Sequence, residues 1–210
     1  MIAQSLVFVV DDDSSVRRAL RRLLTIEGFA VEAFSSAEGF LSHDRDVGSP
    51  SCLILDVRMP GGADGLQLQQ QLEEASSLLP IIFITGHGTV PMSVQAMKAG
   101  ACEFLQKPFD NAKLLAAVRE ALVRSRAACD RHRALNELRG RAKRLSGREH
   151  EVFALVVQGL LNKQIASRLG VAEKTIKVHR GRVMGKMEAT SVAELVRMAD
   201  SLGLKTADLQ

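Results

Sequence analysis

Asp56 closes an apolar run, Cys52-Leu53-Ile54-Leu55, and three further runs of that kind also end in polar, reactive side chains. Leu6 to Val10 leads into Asp11-Asp12-Asp13, Ile81 to Ile84 into Thr85, and Cys102 to Gln106 into Lys107-Pro108. In an open parallel sheet the carboxyl ends of the strands converge on one crevice, where ligands bind. An acidic cluster, a hydroxyl and an ammonium are therefore expected to meet there. Clustered carboxylates repel, and burying them is costly unless a cation joins them. Mg2+ (or Mn2+) suits this donor set, because it takes oxygen ligands. Asp56 can then act as a carboxylate nucleophile toward a phosphoryl group. The metal and the Lys107 ammonium would neutralise charge on the phosphoryl oxygens, and Thr85 would hydrogen-bond one of them.

Helix and strand signals alternate between these points. Ser14 or Ser15 is expected to cap a helix in which Val16, Leu20, Leu23 and Leu24 recur at helical spacing, with Gly28 at its C′ position. Ala30 to Phe34 reads as a strand, Ala37 to Leu41 as part of a short helix, and Asp44 to Pro50 as polar loop. Gly65 precedes a helix to about Ala75, and Pro80 restarts the chain into the next strand. Pro91 fits the first turn of a helix that Gly100 terminates, and a fifth helix begins near Asn111. The strands are continuous apolar runs, as expected when helices cover both faces of a sheet. These five β-α units predict a flavodoxin-like α/β fold with a parallel sheet of order 2-1-3-4-5.

The remainder differs in character. Arg124 to Arg144 is rich in Arg, has no Pro, and reads as a polar, partly helical linker continuing the fifth helix. Ser146-Gly147-Arg148-Glu149 is a capping box that opens a helix through Val157. Asn162 is placed to cap the next helix, Gly170-Val171 to turn the chain, and Glu173 to Met187 to form a third. A second capping box, Ser191 to Glu194, opens a last helix to about Leu202. Four short helices with a Gly-containing turn make an all-α helix-turn-helix domain. The expected division is 1–122, a basic helical linker over 123–144, and 145–210.

Charge follows that division. Through Leu122 there are 10 Lys+Arg and 15 Asp+Glu, and from Val123 onward 18 and 9. An acidic half and a basic half point the second toward a polyanion such as double-stranded DNA; a basic solvated surface is the bland alternative. Cys52, Cys102 and Cys129 lack CxxC spacing and read as small packing residues, not a zinc or disulfide set. No apolar stretch reaches ~18 residues and no signal-peptide pattern opens the chain, so the expected location is cytoplasmic, with no membrane partner.

Residues 1 to about 122 resemble a response-regulator receiver domain, through VVDDD, LDVRMP, ITGHG and MKAGACEFLQKPF in that order. The resemblance implies that Asp11 and Asp12 are an acidic pair for Mg2+, that Asp56 is the phosphoacceptor, and that Arg58 supplies a backbone carbonyl to the metal. It further implies that Thr85 is a switch hydroxyl, Phe104 a rotating aromatic, and Lys107 the site lysine, followed by a cis peptide bond to Pro108. Asp13 reads as a helix cap, and His87 as a loop residue near the site. In the family a Gly usually stands eight residues after the acceptor; here Gly65 is the ninth after Asp56, which leaves the loop geometry open.

Residues from about Leu145 to Leu204 resemble the LuxR-type helix-turn-helix of the NarL/FixJ regulators, through LSGREHEV, GLLNKQIASRLGV and KTIKVHRGRVMGKM. In such domains the third helix enters the major groove. Ile176, Val183 and Met187 read as its buried side. By resemblance Lys177, Val178 and position 181 face bases, and Gly181 cannot read one, so readout shifts to Lys177, Val178, Arg180 or DNA shape. Lys163, Lys174, Thr175, Arg180 and Arg182 are the further DNA-binding candidates, each equally well a solvated surface group. His179 reads as packed on the helix scaffold. Val192, Leu195, Val196 and Ala199 form either a homodimer face or the completion of the core.

The implied function is that of a two-component transcription regulator. A sensor histidine kinase phosphorylates Asp56, copies of the chain dimerise through Val90, Met92, Val94 and Lys98, and the dimer binds promoter DNA, with RNA polymerase a further possible partner. Arg17 to Arg22 is a candidate kinase-docking surface. Two rivals remain open: a haloacid-dehalogenase-like phosphatase built on Asp11 and Asp13, for which Asp110 is the one acid near Lys107, and a phosphorylation-independent DNA-binding protein.

Overall fold

A computed structural model describes residues 5–44, 49–59, 64–75, 77 and 79–204. The chain divides into two compact units, Met1–Asp130 and Arg131–Gln210. In chain order the first contains β1 (Leu6–Val10), α1 (Ser14–Ile26), β2 (Ala30–Phe34), α2 (Ala37–Leu41), β3 (Ser51–Asp56), α3 (Gly65–Glu74), β4 (Ile81–Thr85), α4 (Val90–Lys98) and β5 (Glu103–Gln106). Helix α5 (Asn111–Lys143) starts in this unit and ends in the next. The second unit continues with α6 (Gly147–Val157), α7 (Asn162–Leu169), α8 (Glu173–Met187) and α9 (Val192–Ser201).

All strand pairs are parallel and the order is β2-β1-β3-β4-β5, as the strand runs predicted. Alternation along each strand feeds two apolar layers. Val7, Val9, Cys52, Ile54, Ile82 and Ile84 pack with Leu20 and Leu24 of α1 and Leu114 and Val118 of α5. Phe8, Val10, Leu53, Leu55, Ile81 and Phe83 pack on the other side with Phe40 of α2, Leu68 and Leu72 of α3, and Ala96 of α4. Because both faces are covered, the central strands β1, β3 and β4 carry no polar face and their polar chemistry is confined to their ends, whereas the edge strand β2 holds Glu32 at its centre. Cys52 and Cys129 are buried and Cys102 is partly buried, all as free thiols.

Several local expectations are corrected. Asp13 caps α1, as its own reading as a helix cap had it and in place of Ser14 or Ser15: its carboxylate accepts from the Ser15 N–H at 2.7 Å. That bond holds the Asp13 carboxyl below the usual carboxylate range. Asn162 is the first residue of α7 rather than its cap; Leu161 is the cap, and the Gln164 carboxamide accepts from the Leu161 N–H at 2.7 Å. The box at Ser191 is half formed, since Glu194 turns its carboxylate to Thr190 and not to Ser191. Strand β5 begins at Glu103, one residue later than expected, and the linker stretch is unbroken helix to Lys143. The loop expected over Asp44 to Pro50 lies partly outside the described residues, at 45–48.

In the second unit α6, α7, α8 and α9 close around Val152, Phe153, Ile165, Ile176, Val183, Met187, Leu195 and Ala199. Leu195 and Ala199 therefore complete the core, with Val192 and Val196 packed beside them. Leu138 and Ala142, late in α5, also pack on this core. Helix α8 ends at Glu188, which adopts φ 57°, a left-handed conformation costly for a residue with a Cβ. Arg141 holds it there through an ion pair of 2.8 Å to the Glu188 carboxylate.

Glu149 joins α6 to α8. Its carboxylate accepts from the Ser146 N–H at 2.8 Å and from Lys186 Nζ at 2.6 Å, and its side chain is buried. The Lys186 ammonium first, and the Ser146 N–H second, pull its pKa from 4.5 down to about 2. A folded pKa below the unfolded one means that the unfolded chain takes up the proton first. The stabilisation is therefore complete above pH 4.5 and is lost as pH falls toward 2. We expect methyl NMR signals of Ile165 and Ile176 to report unfolding of this unit across that window, with a shallower pH dependence in Glu149→Gln.

Candidate metal centre and nucleic-acid interface

Strand register assembles the first site. Val10 pairs with Leu55, so Asp11 and Asp56 leave neighbouring strands side by side. Thr85 pairs with Gln106, and the Lys107 N–H donates to the Thr85 carbonyl at 2.7 Å, which brings the lysine to the same edge. The Lys107-Pro108 peptide is cis, as the resemblance implied. Lys107 Nζ donates to Asp11 Oδ2 and Asp56 Oδ2, both at 2.7 Å. The remaining oxygens accept backbone donors: Asp11 Oδ1 from the Asp13 N–H at 2.8 Å, and Asp56 Oδ1 from the Arg58 N–H at 3.0 Å.

Burial pushes the Asp11 carboxyl above its ordinary pKa, against the opposing pull of its bond to Lys107. Burial alone would favour a neutral Lys107, but its bonds to Asp11 and Asp56 outweigh it and raise the pKa, so the ammonium stays charged. One oxygen each from Asp11, Asp12 and Asp56 lies within 4.8 Å of the others. Three acids face one ammonium, and all the side-chain donors are oxygens. That is the donor set and charge a hard divalent cation requires, and the residues fit Mg2+.

Around this cluster the other sequence candidates take distinct places. Thr85 is fully buried, and its Oγ1 accepts from the His87 N–H at 3.2 Å. The His87 side chain is exposed. Phe104 is partly buried, its ring tilted 41° against Phe83 with centroids 6.2 Å apart. A Cβ on Gly88 would stand 3.0 Å from Phe104 Cε1 and 3.1 Å from Thr85 Cγ2. Gly88 thus touches both switch candidates, a role its place in ITGHG did not disclose. Arg17 donates to the carbonyls of Asp11 and Asp12 and is withdrawn from the exposed basic face formed by Arg18, Arg21 and Arg22.

Most of the loop in which the extra residue before Gly65 falls, 60–63, lies outside the described residues. Gly65 nevertheless reaches the end of β3 beside Asp56. Its N–H donates to the Val57 carbonyl at 2.9 Å, and a Cβ there would collide with the Asp56 carbonyl oxygen and stand 3.0 Å from Val57 Cα. Both obstacles are backbone, so no side-chain rotation relieves them. Gly65→Ala should destabilise the first unit by about 2 kcal/mol and displace Asp56. Urea unfolding followed by circular dichroism checks the first effect, and a lowered Mg2+ affinity in calorimetry checks the second.

On α4 the proposed dimer residues separate. Val90 is 77% and Val94 45% exposed, and Lys98 is exposed too, whereas Met92 is partly buried and packs against the core. Met97 is 46% exposed.

In the second unit Ile176, Val183 and Met187 are buried on one side of α8. Lys174, Thr175, Lys177, Gly181 and Arg182 are exposed, Val178 is 49% exposed, and Lys163 is exposed on α7. Helical spacing puts Lys174, Val178 and Gly181 on the side opposite the core. Arg180 is half-buried and donates to Asn162 Oδ1 at 2.8 Å, tying α8 to the start of α7. His179 is half-buried. A Cβ on Gly181 would meet nothing within 4 Å, so packing does not demand a glycine there. None of the described helices is long and apolar enough to cross a membrane.

Comparison with known proteins finds a family match in each half of the chain. Residues 7–119 match the response regulator receiver domain family, and residues 143–199 match the bacterial regulatory proteins of the luxR family. The chain is 48% identical to nodulation protein W of Bradyrhizobium diazoefficiens, over 96% of this chain and 88% of that one. It is 45% identical to the transcriptional regulatory protein FixJ of Azorhizobium caulinodans, over 96% of this chain and 95% of that one. Among solved structures it is similar to the response regulator StyR, with a TM-score of 0.83 and 47% identity over 94% of this chain and 99% of that one.

Proposed function

The chain belongs to the two-component response regulators that join a receiver domain to a luxR-type DNA-binding domain, transcription regulators and not classical enzymes, and on that premise we propose that Asp56 accepts a phosphoryl group from a sensor histidine kinase and thereby controls dimerisation and promoter binding. The observation that carries this reading is the single ammonium of Lys107, 2.7 Å from both Asp11 Oδ2 and Asp56 Oδ2. It marks the place where negative charge is to be neutralised.

Asp11, Asp12 and Asp56, with the Arg58 carbonyl, would hold Mg2+. Bound there, the cation screens the acids and the phosphoryl oxygens from one another. An Asp56 carboxylate oxygen attacks phosphorus, the bond from phosphorus to the donor imidazole nitrogen breaks, and an acyl phosphate remains on Asp56. Lys107 moves its hydrogen bond to a phosphoryl oxygen. The new group carries about −1.5 to −2 charges. The Thr85 hydroxyl donates to it, and Phe104 turns into the space that Thr85 vacates beside Gly88. The α4 face carrying Val90, Val94 and Lys98 then pairs with a second copy. Two α8 helices engage one site, with Lys177 and Val178 toward bases and Lys163, Lys174, Thr175 and Arg182 toward the backbone. Doubling the phosphate contacts steepens the salt dependence of binding. Contact with RNA polymerase and a cytoplasmic location complete the reading.

Both acids that a phosphatase would add serve as helix caps. Asp13 accepts from Ser15, and Asp110 Oδ1 accepts from the Ala112 N–H at 2.7 Å. The test is mass spectrometry of the full chain with acetyl phosphate and Mg2+, followed by sedimentation. The expected result is a gain of one phosphoryl group, mapped to the Asp56 peptide, with a shift to dimer. No gain with acetyl phosphate or with a cognate kinase overturns the proposal, as does DNA affinity indifferent to either donor.

A further inference from the structure

We infer that Arg17 is a positioning residue for the acidic pair: it fixes the peptide groups that carry Asp11 and Asp12 and so sets the cation affinity of the pocket. This rests on the metal reading of the triad. The Arg17 Nη1 donates to the Asp11 carbonyl at 2.6 Å and to the Asp12 carbonyl at 2.8 Å. Its own N–H donates to the Asp13 carbonyl at 3.0 Å, so one residue of α1 grips three successive carbonyls. Strand β1 ends at Val10, and the Asp11 N–H makes a last bond to the Phe34 carbonyl at 3.3 Å. Beyond that point the sheet offers the chain no further ladder partner; the 12–13 peptide keeps the bond from its N–H to Asp11 Oδ1, and the carbonyls of Asp11 and Asp12 take their donor from Arg17.

The 11–12 and 12–13 peptides flank the Asp12 Cα, so fixing both planes fixes the direction in which the Asp12 side chain leaves the backbone. Asp12 is the exposed member of the triad and has no bond to Lys107, unlike Asp11 and Asp56. Its place among oxygens within 4.8 Å of one another therefore depends on its backbone, and Arg17 holds that backbone. The neighbouring arginines play no part in this, since Arg18 donates to Ser15 Oγ at 3.2 Å, and Arg21 and Arg22 are exposed. The positive charge of Arg17 opposes cation binding, whereas its ordering of the ligands favours it. Ordering is expected to prevail, because the guanidinium is bonded to the two carbonyls.

Groups that orient metal ligands typically contribute about 10-fold or more to affinity. Calorimetric titration of the full-length chain with Mg2+ is the test. Arg17→Met should bind Mg2+ roughly tenfold more weakly. In labelling with acetyl phosphate, the Mg2+ concentration for half-maximal rate should rise by the same factor, with the rate at saturating Mg2+ unchanged. Arg17→Lys, which keeps the charge, should fall between the two, and it serves alone if the circular dichroism of Arg17→Met shows an unfolded chain. Wild-type Mg2+ affinity in a folded Arg17→Met, or in Arg17→Lys where the Met variant does not fold, overturns the inference. So does a defect confined to transfer from a kinase, which would make Arg17 a docking residue. Failure of the metal reading itself has a different signature, since the wild-type chain would then bind no Mg2+.

Discussion

Asp56→Asn should take up no phosphoryl group from acetyl phosphate or from a kinase, and its DNA affinity should be the same with and without either donor. The substitution removes the nucleophile with little change in shape. A carboxamide oxygen can still accept from the Arg58 N–H, now at 3.0 Å from Asp56 Oδ1. Lys107 keeps its 2.7 Å bond to Asp11. The fold should survive, because the triad loses one of three mutually repelling acids. Without Mg2+ the variant should melt no lower than the wild type. With Mg2+ the wild type should gain more stability than the variant, since binding to the folded state stabilises in proportion to affinity. Mass spectrometry reads the first outcome, fluorescence anisotropy of labelled promoter DNA the second, and circular dichroism the third. The chain has no Trp or Tyr, so intrinsic fluorescence offers little signal. Labelling that persists at another residue would remove Asp56 from the central role.

Lys107→Met should be the most destabilising change at the pocket. The methionine fills much of the stem's volume but leaves Asp11, fully buried, and Asp56 without their shared counter-ion. Breaking a buried pair by removing one partner costs about 3–5 kcal/mol. With the Lys107 side chain 23% exposed, solvent screening places the expected loss near the lower end, about 3 kcal/mol without Mg2+. The pH dependence has a definite sign. Burial already raises the Asp11 pKa, and losing the ammonium raises it further. A carboxyl with a folded pKa above its unfolded one binds its proton more tightly when folded, so stability rises as pH falls through that folded pKa. The variant should therefore recover stability on acidification from neutral pH, and Mg2+ should restore part of it at neutral pH. Urea titrations at several pH values, with and without Mg2+, check both. Phosphorylation should also slow sharply, because the ammonium facing the phosphoryl oxygens is gone.

Gly65 and Met92 show how far the pattern of residues carries and where it stops. The extra residue before Gly65 raised a question that no local rule answers. The answer depends on whether Gly65 arrives against the Asp56 carbonyl, which it does through a contact between backbones. Met92 sits on a helix whose spacing allows it to face either way, and it is partly buried against the core where Val90 is exposed. Leu195 and Ala199 posed the same choice and resolved toward the core. Caps were read less well than runs. Asp13, Ser14 and Ser15 are all capable N-caps, and a shift of one residue decides among them. The placement of Asp11, Asp56 and Lys107 at one sheet edge and the strand order were legible because each of these residues lies at the end of an apolar run, and central parallel strands covered on both faces have no other place for polar groups.

Strand-end chemistry and apolar periodicity alone determined that Asp11, Asp56, Thr85 and Lys107 share one edge of a parallel sheet and that a basic helical domain follows. Only the tertiary structure decided that one ammonium is divided between two carboxylates, that Arg17 turns from the basic face to grip the carbonyls of Asp11 and Asp12, and that Gly88 lies against both Thr85 and Phe104. Periodicity assigns a residue to a face of its own element. Which atoms then meet depends on rotamers and on which donors and acceptors remain unpaired once distant segments have packed, and neither quantity exists until the chain has closed on itself.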